Sequence, residues 1–101
     1  MLLGMACCDP NGLNQVFAGP VVQRELRAFR RKGLNRRQRK MVELLEPSMP
    51  GASVLDVGCG IGAIGTTLLT KGASSSTFVE VSSAYLRGAR EVARDAGVVG
   101  A

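Results

Sequence analysis

Apolar residues recur along the chain with two different periods. Val22, Leu26 and Phe29 stand at i, i+4 and i+7, one face of a helix that begins at Pro20 and ends at Gly33. Asn35 is placed to cap a second helix, with Leu34, Met41, Val42 and Leu45 on its apolar side. Pro47, Pro50 and Gly51 stop that helix, and the pattern then changes. Residues 53–57, SVLDV, form a short apolar run broken by one acid and read as a buried strand. A turn follows at 58–62. Ile61, Ile64, Leu68 and Leu69 then mark a third helix, ended by Lys71 and Gly72. Residues 74–76 read as a loop and 77–81, TFVEV, as a second strand. Ser82 or Ser83 caps the last helix, whose apolar face is Tyr85, Ala89, Val92, Ala93 and Ala96. Arg87, Arg90 and Arg94 take its wet face, and Gly97 ends it. A strand–helix–strand unit of this spacing is a right-handed crossover between parallel strands. The pattern predicts an α/β fold.

Composition narrows the class. The chain has 101 residues, enough for one small domain or part of a larger one. Apolar residues make up 46% and charged ones 21%, which excludes wholesale disorder. Aromatics are only 4%, so the core must be built from aliphatic side chains. The net charge of +5 is unevenly placed. Residues 1–50 hold nine basic and four acidic side chains, while residues 51–101 hold four of each. The excess lies between Arg24 and Lys40. It suits either an anionic partner or a solvated helical face. Arg36, Arg37, Arg39 and Lys40 crowd the start of the second helix, against its dipole, which slightly favours a use for them.

Three cysteines and no histidine leave no ligand set for zinc, so no metal is expected. Cys7 and Cys8 are adjacent and Cys59 is distant, and free thiols fit a reducing compartment. The apolar start, MLLGMACC, lacks a basic leader and is shorter than the roughly 7–15 residues of a signal core. No apolar run reaches the roughly 20 residues of a membrane span. The expected location is cytoplasmic, away from membranes.

The informative stretch is VLDVGCGIG, residues 54–62. Glycines allow a tight turn from strand to helix and expose peptide N–H groups to a ligand. The turn lies at the carboxyl end of a strand, where open α/β sheets bind ligands. Gly60, Gly62 and Gly65 spell GxGxxG, a dinucleotide fingerprint. Gly58, Gly60 and Gly62 spell GxGxG behind Asp56. That carboxylate would repel a pyrophosphate and attract an ammonium group, as on the amino-acid end of S-adenosylmethionine. Glu80, at the end of the second strand, can accept both hydroxyls of a ribose.

VLDVGCGIGAIG resembles the first motif of class I S-adenosylmethionine-dependent methyltransferases. FVEVSSAYLRGAREVA resembles their second strand and following helix. The resemblance covers residues 36–97. It implies a Rossmann-like parallel sheet, here truncated to two helices followed by a strand–helix–strand–helix unit. By position, Asp56, Gly58, Cys59, Gly60 and Gly62 would hold the methionyl end. Glu80 would hold the ribose, with Val81 against the adenine. The CCDPNG start and the basic helices are more loosely similar to small bacterial methyltransferases of the magnesium-protoporphyrin type.

With the boundary that Pro47, Pro50 and Gly51 mark, the chain is expected to divide into an irregular segment at 1–19, a basic helical segment at 20–50 and, as the resemblance implies, a partial S-adenosylmethionine-binding domain at 51–101. Family members continue with further strands, so this sequence is expected to be an amino-terminal half, with a complementing carboxyl-terminal half as a possible partner. No catalytic residue is named, because Asp56 and Glu80 are committed to the cofactor and no histidine exists. The methyl acceptor is unidentified, with an anion favoured by the charge. Two other readings stay open: a fragment of an NAD(P)-dependent oxidoreductase, and a nucleic-acid-binding module using Arg24 to Lys40. Few aromatics are available for base stacking, which disfavours the latter.

Overall fold

The computed structural model describes the backbone of Leu2–Gly4 and all of residues 17–98. The chain runs β1 (Leu2–Gly4), α1 (Gly19–Lys32), α2 (Arg36–Leu45), a 3-10 turn (Glu46–Ser48), β2 (Ser53–Val57), α3 (Ala63–Thr70), β3 (Ser75–Val79) and α4 (Ser83–Asp95). The expected α/β order of two helices followed by strand, helix, strand and helix is present. β2 and β3 are parallel, with Ser53 beside Ser75 and Val57 beside Val79. β1 has no counterpart in the sequence reading. It pairs in parallel with the last part of β3, Leu2 beside Thr77 and Gly4 beside Val79, so the order across the sheet is β1–β3–β2.

Local chemistry sets the helix ends. The N–H of Gly33, at φ 72°, donates to the Phe29 carbonyl and closes α1. α2 starts on a capping box. Asn35 Oδ1 accepts from the Gln38 amide at 2.8 Å, and Gln38 Oε1 accepts from the Asn35 amide at 2.9 Å. Ser82 Oγ accepts from the Tyr85 amide at 3.2 Å and caps α4.

Four expectations need correction. Residues 53–57 are not a buried strand, because the helices cover only one face of β2 and its alternate residues are exposed. β3 lies two residues earlier than 77–81, because its register follows β2, which ends at Val57. Ser75 and Ser76 are strand residues, and the Ser76 hydroxyl is buried and donates to the Gly65 carbonyl at 2.9 Å. Glu80 and Val81 therefore follow the strand. On α2 only Val42 is buried, while Met41, Leu44 and Leu45 are exposed, because α2 meets the body of the fold along a narrow stripe. On α4, Ala96 lies past the last packed turn and is exposed.

The helices cover one face of the sheet. Phe78 is 0% exposed and packs beneath α3. Val54 and Asp56 are half-buried on the same side of β2. The alternate positions Leu55 and Val57 are 66% and 71% exposed. α1 and α4 cross closely at Gly88, where a Cβ would stand 3.0 Å from Val22 Cγ1. Val22, Leu26, Ile61, Tyr85 and Val92 form one core cluster there, and Val42, Met49, Leu68 and Ala73 form a second under α2. No helix among the described residues is long and apolar enough to cross a membrane.

This asymmetry yields a direct test. Phe78→Ala should cost about 3–5 kcal/mol, the usual magnitude for a buried ring. Leu55→Thr with Val57→Thr should change stability by less than about 1 kcal/mol, since little burial is lost. Urea unfolding of the three proteins measures both.

Candidate functional site

The segment after β2 is held to the sheet by one carbonyl. Val79 O accepts from the Gly58 amide at 2.7 Å and from the Cys59 amide at 3.2 Å. The chain then turns through Gly58, Gly60 and Gly62, with φ of 69°, 58° and 71°. Any other residue at such a left-handed position costs roughly 1–2 kcal/mol. The glycines nevertheless do different work. A Cβ at Gly62 would meet Phe78 Cε2 at 2.9 Å, and one at Gly65 would meet Phe78 Cε1 at 2.2 Å. These two face inward and let α3 lie down on β3. Gly58 has nothing within 4 Å of its Cβ direction, so it is the glycine a ligand can approach. Gly60 lies between these cases, with the Tyr85 ring at 3.8 Å.

Glu80 is the anchor of the turn. It is 8% exposed. Its Oε1 accepts from the Gly60 amide and its Oε2 from the Ser82 amide, each at 3.0 Å. The carboxylate thereby ties the glycine turn to the start of α4. Each oxygen keeps a further lone pair for another donor.

Asp56 is half-buried on the covered side of β2, and the N-cap of α3, Gly62, has no side chain to offer. Burial raises the Asp56 carboxyl above its ordinary value of 3.8, the Gly65 amide draws it back, and the nearby Glu80 charge raises it again. Burial also lifts the Cys59 thiol to about 12, with the Asp56 and Glu80 carboxylates adding to the effect. Cys59 is therefore a neutral thiol at physiological pH and a poor nucleophile. Its Sγ donates to the Gly60 carbonyl at 3.4 Å.

The structure thus brings Asp56, Gly58, Cys59, Gly60 and Glu80 around one turn. Gly62 supports that turn from the core side, and Val81 sits half-buried just beyond Glu80. Cys7 and Cys8 lie outside the described residues. No cluster of three metal-ligating side chains occurs among those described.

Sequence reasoning missed two participants. The Tyr85 hydroxyl donates to Glu25 Oε2, joining α4 to α1 beside the turn. The Phe17 ring lies 5.5 Å from the Tyr85 ring, and Ser82 Oγ donates to the Phe17 carbonyl at 2.9 Å. Burial, followed by the Glu25 carboxylate, raises the Tyr85 hydroxyl, so it remains protonated. Glu25 is the single acid between Arg24 and Lys40, which was the available signal.

A family model for the methyltransferase small domain matches residues 22–100. The chain belongs to that family. The match begins at Val22, so the methyltransferase small domain here includes the basic helix α1 as well as the glycine turn, a wider span than residues 36–97. No curated protein and no solved structure matches the chain.

Two outcomes are expected for the turn. Gly65→Ala should destabilise the fold by about 1–3 kcal/mol through overpacking on Phe78. Gly58→Ala should cost only the left-handed penalty of roughly 1–2 kcal/mol, which chemical denaturation resolves. For Asp56, the raised carboxyl means that the folded state binds this proton more tightly than the unfolded state. Its contribution to stability is full below 3.8 and is lost as pH rises through the raised value. Asp56→Asn should flatten that fall, and thermal unfolding from acid to neutral pH reads the slope.

Proposed function

We propose that the glycine turn binds S-adenosylmethionine and that the chain serves methyl transfer. The observation that carries this reading is the pair of carboxylates that flank the turn, Glu80 bonded to the Gly60 amide and Asp56 half-buried on β2 two residues before Gly58. The Asp56 charge just before Gly58 opposes a pyrophosphate and favours a cationic group, while a carboxylate at Glu80 suits the ribose of either ligand. An NAD(P) reading has to overcome that repulsion.

The residues present fit the cofactor. Gly58 leaves backbone open to a ligand, and the start of α3 offers the positive end of a helix to a carboxylate. Asp56 supplies the negative charge for the ammonium group. Gly60, Cys59 and Gly62 shape the loop around the methionyl end. Glu80 has lone pairs free for ribose hydroxyls while its other bonds keep it in place. Val81 follows as the apolar contact for the base.

When bound, S-adenosylmethionine supplies a methyl group on a sulfonium, whose sulfur leaves as a neutral thioether. The chain's own residues bind and orient, and positioning is the larger part of such catalysis. The described side chains near the turn offer no free base. Glu25 already accepts a hydrogen bond from the Tyr85 hydroxyl, Glu80 accepts from two amides, and Asp56 is assigned to the ammonium group. The family match supports the methyltransferase class, and the cytoplasm suits a soluble cofactor of this kind.

Isothermal titration tests the reading. S-adenosylhomocysteine should bind and NAD should not. Glu80→Gln keeps the shape but removes the charge and puts a donating NH2 where one oxygen accepts from a backbone amide. It should weaken S-adenosylhomocysteine about tenfold, equivalent to about 1.4 kcal/mol. Circular dichroism of the same protein separates this from unfolding. Binding of NAD without any response to S-adenosylhomocysteine would reverse the assignment.

A further inference from the structure

A cleft of about 330 Å³ lies between the end of α1 and the start of α2. That volume falls at the lower end of the range for small-molecule sites. Its apolar lining comes from Phe29, Leu34 and Ile61, and its cations are Lys32, Arg36 and Arg39. Arg39 is partly fixed, since its Nη1 donates to the Leu34 carbonyl at 3.2 Å. Of the nine cations between Arg24 and Lys40, Arg30 alone forms an ion pair among the described residues, with Asp95. Arg36 and Arg39 sit in the first turns of α2, at the positive end of its dipole, where cations are unfavourable. A bound anion would relieve that repulsion.

The cleft adjoins the glycine turn by two routes. Ile61 belongs to both. Glu25, which also lines the cleft, accepts from Tyr85, whose ring lies against Gly60. Phe29 packs on the core cluster, so the aromatic lining is a wall rather than a free stacking platform. An apolar floor with a cationic rim suits a compact molecule with both characters, and suits a nucleic-acid strand less well.

Resting on the methyltransferase reading above, we propose that this cleft receives the methyl acceptor, a small organic anion that carries a phosphate or carboxylate on an apolar body. A lone pair of the acceptor forms the new bond to the methyl carbon as the carbon–sulfur bond breaks and its electron pair stays on sulfur, and any proton on the attacking atom passes to solvent water. Lys32, Arg36 and Arg39 hold the anionic group, and Ile61 places the apolar body beside the turn.

Titration calorimetry on the full chain tests this with 2-naphthyl phosphate, 2-naphthol and inorganic phosphate as probes. The first should bind at least tenfold more tightly than either of the others. Arg36→Gln with Arg39→Gln should weaken it at least tenfold and leave S-adenosylhomocysteine binding within twofold. Equal binding of naphthyl phosphate and inorganic phosphate would overturn the proposal, because the apolar floor would then contribute nothing. So would a loss of naphthyl phosphate binding in Leu55→Thr/Val57→Thr but not in the arginine variant, which would place the probe on the open sheet face. A single-stranded oligouridylate that binds with steep salt dependence, and outcompetes naphthyl phosphate, would make the basic surface an RNA site instead. If S-adenosylhomocysteine fails to bind while naphthyl phosphate binds as described, the cofactor reading falls and the cleft stands as an anion site. In the reverse case only the cleft proposal falls.

Discussion

The Phe78 ring fills the space that side chains at Gly62 and Gly65 would need, and the rest of the molecule is arranged around that contact. It brings α3 close enough to β3 for the Ser76 hydroxyl to reach the Gly65 carbonyl. The same approach places Ala89 of α4 3.3 Å from the Cβ direction of Gly62. With α3 fixed on the sheet, the five residues between β2 and α3 have a short, defined span to cross. They cross it with three left-handed glycines. The geometry of the turn is therefore a consequence of helix–sheet packing, and a packing defect at Phe78 would reach the site without touching a ligand.

Charge is separated across the same small fold. The carboxylates of Asp56 and Glu80 gather at the turn, and the cations of α1 and α2 gather around the cleft beside it. Glu25 stands at the border and is tied to Tyr85. Such an arrangement would repel a free phosphate from the turn and attract it to the cleft. It provides a physical basis for a cationic ligand and an anionic one to occupy neighbouring sites without exchanging places.

The element order was legible because each helix carries its own period and punctuation. Gly33, Asn35 and Ser82 act at their expected places through contacts within a few residues. β3 was less legible, since Ser75 and Ser76 have no strand character of their own. Their conformation comes from the register with β2. In the site, the glycine motif and Glu80 were visible as residue types. The division of labour among the glycines was not, because it depends on Phe78, a residue read only as strand filling. The Glu80 bonds to Gly60 and Ser82 likewise depend on a turn meeting a helix start in space. Tyr85 was read as part of an apolar face, which it is, but its hydroxyl reaches Glu25 on another helix.

The open sheet face remains physically separate from the turn. Leu55 and Val57 point away from α3, whereas Asp56 between them faces it. Alternation along one five-residue strand thus gives β2 two roles, since its odd and even positions meet different surroundings. Parallel sheets normally have both faces covered, so the exposed apolar pair marks where further burial would add stability. That burial would act on the odd positions of β2 and leave the turn's own supports, Phe78, Glu80 and the Val79 carbonyl, unchanged. Burial on one face can therefore be increased without disturbing the turn: covering Leu55 and Val57 adds to stability, while the loop geometry is set from the opposite face by Phe78.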